Sequence, residues 1–134
     1  MTTRLHMVQR GAGDPVVFIH GMGTSAQTWE RCMDLLDDRF TVIAVDLLGH
    51  GSSPVLDDPA EYTRDRALDD LDEILGDLDR PAVLVGHSLG GYLALAHAAL
   101  VIVNERRRPA QSRGNDARST QGREREGRTA APTR

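Results

Sequence analysis

Three uninterrupted apolar runs constrain this chain more than any other feature: "VVFI" (16–19), "TVIAV" (41–45) and "AVLV" (82–85). A strand with one wet face alternates apolar and polar residues. A strand that is apolar throughout is covered on both faces, as in a parallel sheet sandwiched by helices. The segments between the runs supply the covers. Leu68, Leu71, Leu75 and Leu78 recur at helical spacing with acids at the other positions, which is an amphipathic helix. A shorter helix is expected over Ala26 to Leu36. Arg4 to Gln9 partly alternates and is expected as an edge strand, followed by the turn residues "GAGDP" (11–15). Strands alternating with helices call for an α/β fold, a mostly parallel sheet with flanking helices. No internal repeat is present.

The 134 residues allow one domain, but two kinds of sequence are joined within them. Residues 1–103 carry seven arginines against sixteen carboxylates, whereas residues 104–134 carry nine arginines against four. The second segment has no Leu, Ile, Val, Met, Phe, Tyr or Trp. Such an Arg-rich, low-complexity tail cannot bury enough surface to offset its ordering entropy and is expected to be disordered. It resembles the product of a shifted reading frame, so a truncated protein with a non-native tail is expected. Its arginines raise the possibility of nucleic-acid binding, but it offers no aromatic side chain for base stacking and the body is acidic, so no nucleic-acid partner is expected. Cys32 is the single cysteine, which excludes an intrachain disulfide and suggests a buried structural thiol. The first twenty residues lack the apolar core of a secretory signal. No run approaches the roughly 18 apolar residues of a membrane span. A cytoplasmic protein is expected.

In open α/β sheets, sites form beyond the carboxyl ends of strands. The three apolar runs are followed there by "HGMG" (20–23), "DLLGHGSS" (46–53) and "GHSLGG" (86–91). In the last, Gly86 and Gly90 flank Ser88 in G-x-S-x-G spacing between a strand and a helix. Small neighbours relieve crowding at such a corner, and the helix N-terminus favours developing negative charge. Asp46 is expected to brace its loop. Trp29 and Tyr92 are expected to pack, and Met22 to line an acyl pocket.

On these motifs the chain resembles the N-terminal half of an α/β-hydrolase-fold protein. His20-Gly21-Met22-Gly23, the D-x-x-G-x-G-S of Asp46 to Ser52, and Gly86-His87-Ser88-Leu89-Gly90-Gly91 carry the resemblance, over about residues 4 to 100. It implies a partial α/β-hydrolase fold, with Ser88 as nucleophile, an oxyanion hole made by the backbone amides of Met22 and Leu89, and His20, Gly21, Gly86, His87 and Gly90 in support. A serine at this position argues against the haloalkane dehalogenase and epoxide hydrolase branches, which use aspartate there. It favours esterases, lactonases, C–C bond hydrolases and related acyl-transfer enzymes, with a small ester-type substrate expected. No cofactor and no metal are expected.

A serine hydroxyl needs a base, and the family order places an acid and then a histidine after the serine. After Ser88 the chain offers only His97, nine residues along the same expected helix and so roughly 13 Å away. It is expected to serve helix packing. His87 should point away from the corner, His6 belongs to the first strand, and His50 is the remaining candidate. The later strands, the acid and the catalytic histidine of the family are missing. Low or no activity is therefore expected. So is self-association through the strand at 82–85, left as an open edge. A non-catalytic interaction protein or relic fragment that uses this edge is the competing expectation.

Overall fold

The computed structural model describes residues 4–107, with side chains described to residue 100. The tail expected from residue 104 starts later than that, because residues 104–107 continue the last helix, Leu89–Arg107; the remainder, 108–134, lies outside the described residues. Four strands form one sheet: β1 (Met7–Arg10), β2 (Pro15–Ile19), β3 (Thr41–Val45) and β4 (Val83–Gly86). Three helices flank it: α1 (Glu30–Leu36), α2 (Arg64–Gly76) and α3 (Leu89–Arg107). A 3₁₀ turn at Ala26–Trp29 leads into α1, so the helix expected over 26–36 is split by a tighter first turn.

The strand order is β1-β3-β2-β4. β2 pairs in parallel with β3 on one side and with β4 on the other. β1 pairs antiparallel to β3 and closes that edge. The chain thus leaves β2 for β3 on one side and then crosses β2 to reach β4. The crevice at such a switch point is where open α/β sheets place their sites.

The pleat of the strands divides the core. Val17, Ile19, Ile43 and Val45 point to the face covered by α2 and α3, where they meet Leu68, Leu71 and Leu93. Val16, Phe18, Val42 and Ala44 point to the other face and meet Met33, with Trp29 and Cys32 partly buried beside them. Alternate residues of one strand thus serve opposite layers, which is why the runs contain no polar residue. Cys32 is a half-buried free thiol packed against this layer. Trp29 packs on Phe18 with ring centroids 5.1 Å apart, as expected of a packing residue. α2 begins before its first leucine because the Thr63 hydroxyl caps it, accepting from the Arg66 amide.

Asp46, the first residue after β3, ties the loops together. Its Oδ1 accepts from the Ala26 amide at 2.7 Å. Its Oδ2 accepts from the Ser52 amide at 3.0 Å and from His6 Nδ1 at 2.9 Å. The Ser53 hydroxyl donates to the Asp46 carbonyl and accepts from the His6 amide. The brace expected of Asp46 is therefore a buried knot joining three loops. Burial by itself would raise the pKa of this carboxyl, but the Ala26 and Ser52 amides and the His6 ring outweigh it and hold the pKa below the usual value.

Outer strand β4 pairs only with β2 among the described residues. Its first residue, Val83, is 62% exposed.

Asp46→Ala is expected to cost roughly 3 kcal/mol in denaturant unfolding, because buried donors left unsatisfied cost about 1–3 kcal/mol each. A depressed carboxyl pKa stabilises the fold above the unfolded-state value and loses that contribution as pH falls through the folded-state value. Wild-type stability should therefore drop below about pH 4, and Asp46→Asn should flatten that part of the pH profile.

Candidate active site

The corner between β4 and α3 spans two residues, His87 and Ser88. Ser88 has φ +53°, and no other non-glycine residue among those described has positive φ. Left-handed backbone is uncommon away from glycine, and a strained residue of this kind persists only where its surroundings hold it. The surroundings here are tight. The His87 amide donates to the Ile19 carbonyl at 3.1 Å. A side chain at position 90 would place its Cβ 2.0 Å from that same carbonyl oxygen, so only glycine allows α3 to sit so close to the end of β2. At Gly86 a Cβ would lie 2.3 Å from the Gly90 carbonyl. The Tyr92 amide donates to the Ser88 carbonyl at 3.0 Å, starting the helix.

The loop after β2 lies against this corner. A Cβ at Gly21 would come within 3.3 Å of Ser88 Cβ and 2.9 Å of His87 Nδ1. Two histidines shape the loop. His20 is fully buried, and its Nε2 accepts from the Leu47 amide at 2.9 Å. The ring proton is therefore on Nδ1, which donates to the Gly21 carbonyl at 2.7 Å. Burial pushes the His20 pKa down, against the opposing effect of that hydrogen bond, so the ring is neutral. His50 accepts from the Gly23 amide at Nε2 and donates from Nδ1 to the Leu48 carbonyl, at 3.1 and 3.0 Å. The two rings lie 5.0 Å apart. Together they clamp residues 20–23 to the loop after β3.

These contacts account for the histidines that the sequence offered as bases. His20 and His50 use both ring nitrogens on the backbone. His6 is turned to Asp46. His97 reaches Asp72 on α2 at 3.2 Å, the helix-packing role expected of it. His87 adjoins Ser88 in sequence, but its Nδ1 lies toward Gly21. All five histidines of the sequence are among the described residues, and none hydrogen-bonds Ser88 there.

Beside the corner lies a cavity of about 240 Å³ whose walls include Met22, Leu47, Leu48, Leu89, Tyr92 and Asp70. Met22 lines it as expected, whereas Tyr92, expected to pack, is half-exposed on its wall. Sequence reasoning passed over Asp70 and the clamp role of His50. The available signals were an acid whose neighbours at i−3 and i+4 are Ala67 and Ile74, and a histidine held between two glycines. Among the described residues no group of three or more His, Cys, Asp or Glu could hold a metal, and no helix is long and apolar enough to cross a membrane.

Comparison with known proteins agrees with this geometry. The model of the alpha/beta hydrolase family matches residues 16–133. The 2-(acetamidomethylene)succinate hydrolase of Mesorhizobium japonicum is 39% identical over 97 residues, covering 71% of this chain and 34% of that protein. The pimeloyl-[acyl-carrier protein] methyl ester esterase of Methylococcus capsulatus is 41% identical over 90 residues, covering 67% of this chain and 33% of that protein. Among solved structures, a marine microorganism esterase superposes with a TM-score of 0.66 at 30% identity, over 73% of this chain and 37% of its own. The chain spans about a quarter to a third of the length of the curated relatives it matches. With the glycine-flanked corner, the sheet order and the family match in agreement, this chain belongs to the alpha/beta hydrolase family.

Proposed function

We propose that this chain carries the nucleophile and oxyanion hole of a serine hydrolase acting on an ester or related acyl substrate. The observation that carries the reading is the left-handed backbone of Ser88 at the strand-to-helix corner. That conformation lifts a hydroxyl clear of the sheet at the N-terminus of α3. The Leu89 amide, first in the helix, has no intrahelical acceptor and is available to an oxyanion. The Gly21 carbonyl accepts from His20 Nδ1 and from both the amide and the hydroxyl of Thr24. In a planar trans peptide the next N–H points the opposite way, so these bonds turn the Met22 amide out of its own loop. Relatives named as an esterase and as a hydrolase of an acetamido compound fit acyl chemistry.

In this reading Ser88 Oγ attacks the acyl carbon, and the carbonyl electron pair moves to the oxygen facing Met22 and Leu89. The hydroxyl proton must pass to a base. None of the five histidines is placed to take it, so the chain by itself has low or no turnover. Loss of the histidine in a measured serine protease costs about 10⁶ in kcat.

A fluorophosphonate should label Ser88 slowly on prolonged incubation, with the adduct located by peptide mass spectrometry and lost in Ser88→Ala. Absence of an adduct at Ser88 overturns the nucleophile assignment. Rapid activated-ester turnover that Ser88→Ala abolishes overturns the low-activity assignment.

A second reading, non-catalytic, rests on the open edge of β4. Val83–Gly86 holds no charge and no proline, the devices that normally block edge pairing. A second copy presents the same edge and can pair with it about a two-fold axis. Light scattering should show apparent mass rising with concentration, and Val83→Lys should restore a monomer. A concentration-independent monomer in the wild type removes this reading.

A further inference from the structure

The cavity beside the Ser88 corner is walled largely by leucines. Leu5, Leu47 and Leu93 are buried on it, Leu48 and Leu89 are half-buried, and Met22 joins them. The polar side chains that share the lining are engaged with the protein itself. His50 spends both ring nitrogens on the backbone, at Gly23 and Leu48. The Tyr62 hydroxyl donates to the Leu56 carbonyl and accepts from the Leu56 amide. Thr63 caps α2, accepting from the Arg66 amide. Arg66 pairs with Glu61, and Arg64 with Asp65 and Tyr92. Asp70 is only 5% exposed, and its Oδ2 is buried without a partner, closed to anything in the cavity. A polar group entering this space would give up its hydrogen bonds to water and find these partners already taken, which is costly. A charged group would also shed its hydration against leucine side chains. The cavity therefore favours hydrocarbon. How much it takes depends on Ala67, which has the smallest side chain on the lining. Ala67 stands one helical turn from both Arg64 and Asp70, on the face of α2 that the cavity uses.

We propose that this cavity holds the acyl chain of the substrate, that the chain is short, aliphatic and unsubstituted, and that Ala67 sets its length. The proposal rests on the assignment of Ser88 as nucleophile for its orientation. Leu89 follows the serine directly, and Met22 and Leu89 line the cavity while their amides are assigned to the oxyanion. A carbonyl at Ser88 thus starts its chain between these two side chains. At about 30 Å³ for each water-sized group, 240 Å³ takes about eight non-hydrogen atoms. Each methylene that enters an apolar site improves affinity about four-fold, and one left outside in water adds nothing.

The test is NMR titration of the full 134-residue chain, read on its methionine and leucine methyl groups, with methyl esters of straight-chain acids of four to ten carbons. Affinity should rise about four-fold per methylene up to about eight carbons and then level off. A rise that continues through ten carbons overturns the proposal, since it describes adsorption to an open surface. Methyl 6-hydroxyhexanoate and methyl heptanoate have the same length and differ only in ending in OH or CH₃. The heptanoate should bind at least about five-fold more tightly, and equal affinities or the reverse order overturn the assignment of an unsubstituted chain. In Ala67→Leu, methyl octanoate should lose at least about ten-fold in affinity while methyl butanoate stays within about two-fold. Unchanged or tighter binding of the octanoate overturns the role of Ala67, because a larger apolar side chain strengthens adsorption everywhere except in a cavity that it fills. Leucine is a good helix former. Should the variant nonetheless not fold, Ala67→Met makes the same comparison, and the wild-type series decides the cavity without either. The titrations are repeated in Ser88→Ala, where the affinities should be unchanged. A failure of Ser88 to react with the phosphonate would remove the nucleophile assignment and the orientation, and leave the binding result standing. A labelled Ser88 with no levelling of affinity would remove the acyl site and leave the nucleophile standing.

Discussion

The end of β2 is the fixed point to which the rest of the candidate site is referred. The Ile19 carbonyl accepts the His87 amide, and Gly90 lies so close to it that no side chain fits between. The next residue, His20, holds the Leu47 amide through one ring nitrogen and the Gly21 carbonyl through the other. Two consecutive residues therefore set the position of the Ser88 corner, the loop at 20–23 and the loop after β3. β2 can act as this anchor because it is the central strand, buried along its whole length and paired on both sides. A residue in left-handed backbone costs of order 1–3 kcal/mol, and the contacts of His87 and Gly90 with the end of β2 help hold Ser88 there.

The two faces of the sheet divide the labour. The α1 side is closed by aromatic and sulphur-containing residues packed on β2 and β3, and it carries none of the chemistry. The α2 and α3 side builds the cavity, with walls from both helices and from the loops after β2 and β3. Tyr62 and Thr63, just ahead of α2, share the cavity lining with Leu47 and Leu48 just after β3. A loop position set by Asp46 thus reaches the cavity wall through the backbone, without Asp46 touching it.

The legible parts of this structure were those that local chemistry dictates. The strand at 41–45 was readable to the residue because its run opens on the β-branched Thr41 and stops at Asp46. The corner at Ser88 was readable because glycines at fixed offsets have few other uses. The first strand was placed at Arg4 to Gln9 and lies at Met7–Arg10, since its register is fixed by pairing with β3, which no local pattern records. Helix α3 is apolar on nearly every face, so the sequence could not show that Leu93 is buried while Leu95 is 75% exposed. The clamp of His50 on Gly23 joins residues 27 apart, and the isolation of Asp70 depends on what its neighbours fail to offer. Both are facts of tertiary placement, and only their oddity in the local pattern was visible beforehand.

The geometry also separates two contributions that hydrolases ordinarily deliver together. Backbone donors aimed at an oxyanion stabilise charge without moving, and in the proposed reading the Met22 and Leu89 amides take their places from the ends of β2 and β4. Proton transfer needs a titratable side chain brought to the serine from elsewhere. In this chain His20 and His50 are committed to the backbone, with Nε2 of each already accepting an amide proton. Neither could turn toward Ser88 without releasing the loop at 20–23. The imidazoles are therefore not idle bases that a small movement would recruit. They are supports of the loop at 20–23, and in the proposed serine hydrolase any proton acceptor for Ser88 comes from a group additional to them.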